Sequence, residues 1–228
     1  MQRSFTALAA TVFGLALPCA AAMAAPTQYM ATFTELNNSG VSGTATLSVD
    51  TDANLLTVMI DATGLEPNQV HLQHIHGFLA SGQNAVTPPV SAAGPDGVLS
   101  VADGIPFYGP IILPLDPPPT APTGAINYSR TFTDAEVNEL GEMAVPMLPA
   151  GAVTPATGVD ELMPLDVREL VIHGMTINGT YDVTVPVASA EIVPMSAAAV
   201  PLPPAVWMGL ATMGFAGVTA ARQRLVRA

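Results

Sequence analysis

A strict two-residue alternation is the feature that most limits how this chain can fold. In residues 43–50, Ala45, Leu47 and Val49 alternate with Thr44, Thr46 and Ser48. After Asp50-Thr51-Asp52-Ala53-Asn54 the pattern resumes, with Leu56, Val58 and Ile60 set against Thr57, Met59 and Asp61. Successive side chains of a strand point to opposite faces, so this alternation marks strands with one buried face. Asp and Asn bond nearby backbone and favour turns. Residues 43–61 are therefore predicted to form a β-hairpin. Residues 28–35, with Tyr29, Ala31 and Phe33 on one face, are predicted to form a further half-buried strand. The hairpin turn begins like a calcium loop, D-x-D-x-N. Leu55 stands where that loop needs glycine, and Asp61 where it needs glutamate, so a turn is expected rather than calcium.

Residues 64–68 turn the chain into its most unusual stretch, Val70-His71-Leu72-Gln73-His74-Ile75-His76-Gly77. Three of the four histidines of the chain lie there; the fourth, His173, follows in Val171-Ile172-His173-Gly174. On a strand, Val70, Leu72, His74 and His76 share one face, and His71, Gln73 and Ile75 the other. With Val70 and Leu72 taken as inward-facing, His74 and His76 are predicted to look into the core. A buried imidazole needs a hydrogen-bond partner or a metal, and His-x-His on one strand face suits copper or zinc. His74 and His76, with His71 and His173, form the candidate metal set. His173 shares a side with Val171, opposite Leu170 and Ile172, and is expected to point away from the core.

Residues 78–122 are rich in proline and glycine and read as an insertion without regular structure. Within them, residues 92–103 resemble a worn calcium loop. Gly97 fits the sixth position and Asp103 the twelfth, but Ala92 and Gly94 stand where carboxylates are required. Residues 126–132 are predicted as a strand. Thr133-Asp134-Ala135-Glu136 forms a capping box that starts one short helix, expected to end at Gly141. Residues 146–164 read as loop, 168–174 as a strand, Asn178-Gly179 as a turn and 181–187 as a strand. The whole is all-β, an antiparallel sandwich with one short helix and long Pro/Gly-rich loops.

All 18 acidic residues lie between Glu35 and Glu191, where only Arg130 and Arg168 oppose them. Such a surface repels phosphate backbones and excludes nucleic acid as a partner. It suits the soluble exterior of a secreted domain. The single cysteine, Cys19, falls in the leader, so neither disulfide nor thiol chemistry is expected in the mature protein. The chain has no Gly-rich phosphate loop, no G-x-S-x-G and no CxxC. No nucleophile–base pair is marked by spacing, and no catalytic residue is nominated.

The two ends carry export signals. Residues 1–24 read as a signal peptide, with Arg3, an apolar run and Ala22-Met23-Ala24 as the A-x-A site for signal peptidase. Residues 193–204 form a Pro/Ala linker, and residues 205–221 are an uncharged apolar run just long enough to span a membrane as a helix. Arg222, Arg224 and Arg227 would stay cytoplasmic, which leaves the body outside. Val200-Pro201-Leu202-Pro203, one span and a basic tail resemble the VPLPA variant of PEP-CTERM sorting signals in Gram-negative bacteria. That resemblance implies processing by an exosortase-type transpeptidase. Pro204-Ala205 departs from the usual spelling, and a plain tail anchor would use the same residues. Either way the body is exported to the cell envelope, outer surface or medium, its tail at first in the inner membrane.

Residues 25–192 resemble the CHRD (chordin-type) domain. The matching blocks are Met30-Ala31-Thr32-Phe33-Thr34-Glu35-Leu36-Asn37, the hairpin, Gly64-Leu65, His74-Ile75-His76-Gly77, and Pro164-Leu165-Asp166-Val167-Arg168-Glu169-Leu170-Val171-Ile172-His173-Gly174-Met175. Residues 78–122 match least well. The resemblance implies a β-sandwich of immunoglobulin or Cu/Zn-superoxide-dismutase character and no defined activity. Two functions follow. The first is a non-catalytic surface or matrix protein that binds a metal, a polysaccharide or an envelope protein. The second is a dismutase-like copper or zinc enzyme using His74, His76 and one of His71 or His173.

Overall fold

The structure is a computed structural model that describes residues 24–145 and 151–196. The leader, the VPLPA-like motif and the apolar tail lie outside the described residues. Among those described, no helix is long and apolar enough to cross a membrane.

The described residues are mostly antiparallel sheet. Nine strands run in chain order: β1 (Thr27–Thr32), β2 (Thr34–Glu35), β3 (Ser42–Asp50), β4 (Leu55–Thr63), β5 (Gln73–His76), β6 (Ile111–Pro114), β7 (Ala125–Thr133), β8 (Glu169–Ile177) and β9 (Thr180–Pro194). Two helices, α1 (Val101–Tyr108) and α2 (Asp134–Ala144), interrupt them. The strand order is β6-β5-β8-β9-β1-β3-β4-β7, with β2 also on β9. The long β9 joins two halves: along most of its length it pairs β8, and at Ile192–Pro194 it turns to pair β1. The halves close over one apolar core. Leu47, Leu56, Val58 and Phe132 face in from one side, and Ile75, Leu113, Leu170 and Ile172 from the other, all fully buried. Each such side chain removed from water contributes about 1.5–3 kcal/mol.

The hairpin forms as expected, Asp50 pairing Leu55 and Ser42 pairing Thr63. The Asp50 carboxylate accepts from the Asp52 and Ala53 amides at 3.0 Å, which closes the turn. The worn loop at 92–103 is likewise engaged. Asp96 accepts from the Val98 amide, and Asp103 from the Ser100 amide and hydroxyl.

Several expectations are corrected. The first strand is two, because the chain crosses between the halves at Phe33: β1 pairs β3 and the end of β9, whereas β2 pairs β9 at Ala188 and Ser189, where it also pairs β8. The stretch 78–122 is not irregular throughout. A Ser100–Asp103 capping box starts α1, and β6 adds a buried edge strand. Among the described residues there are two α-helices rather than one short one, and α2 runs past Gly141. A Cβ on Gly141 would lie 2.4 Å from the Pro155 side chain, so this glycine serves packing rather than termination. The last strand extends to Pro194, beyond the expected edge of the linker.

Candidate metal centre

The histidine strand is shorter than its sequence pattern suggests, and it faces the other way. Only Gln73–His76 forms β5; Val70 is 39% exposed and does not point into the core. Ile75 is the residue of β5 that enters the inter-sheet core. His74 and His76 therefore lie on the outer face of their half. They are buried all the same, at 7% and 0% exposure, because that face is itself covered. Tyr108, at the end of α1, sets its ring edge-on to His76 at 4.5 Å between centroids. Val101, Ile111 and Ala152 close the region over His74 and His173.

The correction brings His173 in. On β8, Leu170 and Ile172 enter the core, so Val171 and His173 face outward, as expected. Outward on β8 is also outward on β5, which pairs it directly with His74 opposite Val171. The three rings meet: His74 and His173 lie 4.9 Å apart between centroids, His74 and His76 5.6 Å, His76 and His173 5.8 Å. One ligand nitrogen from each lies within 4.8 Å of the others. Three nitrogens bound to one ion at about 2.0–2.1 Å lie about 3.3–3.6 Å apart, so the rings would draw together by roughly 1 Å on binding.

Hydrogen bonding fits the rings to a metal. The Nδ1–H of His76 donates to the Gly109 carbonyl at 2.9 Å, and that of His173 to the Thr184 carbonyl at 2.7 Å. Each bond fixes the tautomer and leaves Nε2 as a lone pair. Those two Nε2 atoms and Nδ1 of His74 are buried without a partner. A backbone carbonyl behind each ring is the usual support of a metal-binding imidazole. Gly109 makes one of these bonds possible. Its φ is +82°, and a Cβ there would lie 2.7 Å from the Gly77 backbone.

The surroundings hold all three rings neutral. Burial drives His74 well below 6.5, and the neighbouring imidazoles add to the effect. His76 falls to about 3, through burial and then His173, against the help of the Gly109 carbonyl. His173 falls to about 4 through burial, partly offset by the Thr184 carbonyl and Asp182. The lone pairs are therefore available to a metal at neutral pH.

His71 does not join the set. It is fully buried on the far side of the turn, with Nδ1 3.0 Å from the His173 carbonyl and Nε2 3.1 Å from the Glu66 carbonyl. Both nitrogens face backbone carbonyls, and a ring with one N–H donates to one of them; either bond holds the ring between the 64–70 turn and β8. Gly174 makes room for it: a Cβ there would lie 2.1 Å from the Tyr181 hydroxyl and 3.0 Å from Nδ1 of His71.

One neighbour was missed by sequence reasoning. Glu169 pairs across from His76 and is wholly buried, accepting from the Thr87 and Ser189 hydroxyls while Oε2 has no partner. Burial pushes its carboxyl up to about 7, against the pull of the two hydroxyls. The available signal was an acid in phase with Val171 and His173. Beside the site, a groove of about 500 Å³ walled by Leu140, Met143 and Val183 reaches the edge of His74.

No protein-family model matches the sequence, and no curated protein matches it. Among solved structures, the fold is similar to superoxide dismutase 5 of Candida albicans in its Cu(II) form. The identity is 14% over 78% of this chain and 98% of that chain, with a TM-score of 0.35. A likeness of that size carries no weight for function, and the metal reading stands on the imidazole geometry.

Proposed function

We propose that this chain is an exported, CHRD-type β-sandwich protein of the cell envelope that holds one copper or zinc ion through His74, His76 and His173, in a binding rather than a catalytic role. The observation that carries the metal is the arrangement of the rings. Three buried imidazoles are held neutral, two are braced by carbonyls, and each keeps one nitrogen without a partner close to the others. Left without a metal, such nitrogens carry the cost of buried polar atoms, roughly 1–3 kcal/mol each. Export is supported by residues 1–24 and by Val200, Pro201, Leu202 and Pro203 before the apolar tail, as substrates of a signal peptidase and an exosortase-type enzyme. The acidic body suits an extracellular setting, with a polysaccharide or an envelope protein as partner.

A dismutase-like enzyme is the second reading, favoured by the His-x-His strand joined by a third histidine. Against it stands the charge. Arg130 is bound to Glu136 at 3.2 Å, and Arg168 is 3% exposed with Nε on the Leu162 carbonyl. Neither can draw an anionic substrate inward. The test is metal content and superoxide dismutation of the purified chain beside His74→Ala/His76→Ala. One ion per chain, lost in the variant and without dismutation above that of the free ion, supports binding. Metal-dependent dismutation would establish the enzyme, and no metal would end both readings.

A further inference from the structure

We infer, resting on the metal reading above, that the trihistidine site is built for a monovalent ion and holds copper as Cu(I) in preference to Cu(II) or Zn(II).

The donor set stops at three. Among the described residues, the His, Cys, Asp and Glu side chains near enough to share an ion are His74, His76 and His173 alone. Glu169, the carboxyl nearest along the strands, has one oxygen committed to Thr87 and Ser189 and stands outside the set. Cu(I) has a filled d shell and is content with three donors. Cu(II) seeks a tetragonal field of four or more, and Zn(II) a fourth ligand.

The space where further ligands would sit is apolar. A cavity of about 110 Å³ lies over His74 and His173, walled by Leu72, Val101, Ile111 and Ala152, with Thr184 at one side. Its lining holds no carboxylate; Asp182, bonded to the Thr184 amide and hydroxyl, stands outside it. The cost of moving an ion out of water grows with the square of its charge, so a dication costs about four times what a monocation does. An apolar shell around a metal site acts on redox preference in this way.

The test titrates the purified full-length chain with Cu(I) under anaerobic conditions, and with Cu(II) and Zn(II), each against a chelator of known affinity at one pH. The expected result is one equivalent of Cu(I), bound at least about a thousandfold more tightly than either dication, equivalent to ~4 kcal/mol. Val101→Asp then adds a carboxylate to the cavity wall, at a helix start that tolerates an acid. It should narrow the ratio at least tenfold. A dication bound as tightly as Cu(I) overturns the inference. So does an unchanged ratio in a Val101→Asp chain that still takes metal. Failure of all three ions to bind overturns the metal reading itself, and this inference with it.

Discussion

The four histidines are all buried, and what separates them is the partner of the second ring nitrogen. His76 and His173 each give one nitrogen to a carbonyl and turn the other toward the neighbouring rings; both nitrogens of His71 face carbonyls outside the set. His173→Ala should therefore abolish metal binding. His71→Ala should leave the ion in place and cost about 2–3 kcal/mol of stability, through the cavity and the lost bonds, read from the urea midpoint. The rings also set the pH dependence. They are neutral when folded and take up protons when unfolded below about 6.5. Their contribution is full above that value and is lost as pH falls toward about 4 for His173 and about 3 for His76. Glu169 opposes them. Its folded value of about 7 lies above the ordinary 4.5, so its contribution is full at low pH and is lost as pH rises through 7. Three imidazoles outweigh one carboxyl, so the metal-free chain should weaken on acidification. Glu169→Gln should steepen that loss between pH 7 and 5, measured by denaturant midpoints, and an unchanged slope would count against the assignment. At this scale the candidate pair His74 and His76 was legible from spacing. His173 was a candidate too, but spacing could not separate it from His71, nor show that all three rings meet on a covered outer face. Residues 169–174 of β8 are buried at every position, so alternation alone does not say which face meets the core and which meets a helix.

Elements decide whether the rings stay in place. The hairpin and the α2 capping box were legible, because alternation and Thr133-x-x-Glu136 are local signals. Helix α1 was not: Gly104 and Pro106 lie inside it, and its box closes with Asp103 in place of the usual glutamate. Strand β6 was hidden because Ile111-Ile112-Leu113 is apolar on both faces. Yet α1 supplies Tyr108 against His76, and the residue that caps it, Gly109, supplies the carbonyl behind that ring. Gly109→Ala forces a side chain into left-handed backbone and against Gly77. It should weaken metal binding by about 10–100-fold, the usual effect of losing the support behind a ligand. Isothermal titration would show it, and an unchanged affinity would remove α1 from the account of the site.

Across the whole molecule, two halves joined by β9 leave an outer face that α1 and the segment near Ala152 cover, and the site lies beneath that cover rather than in the inter-sheet core. The proposed export rests on the terminal segments and is tested there. Replacing Val200, Pro201, Leu202 and Pro203 with alanine should leave the chain in the inner-membrane fraction, while the natural chain reaches the outer surface or the medium. Equal distribution of the two would make the tail a plain anchor. The central claim is tested most directly by metal per chain after loading with copper or zinc and desalting, measured by elemental mass spectrometry on three proteins. The natural chain and His71→Ala should each retain one ion, and His74→Ala/His76→Ala none. An ion kept by the double variant, or none in the natural chain, would contradict a metal centre at His74, His76 and His173.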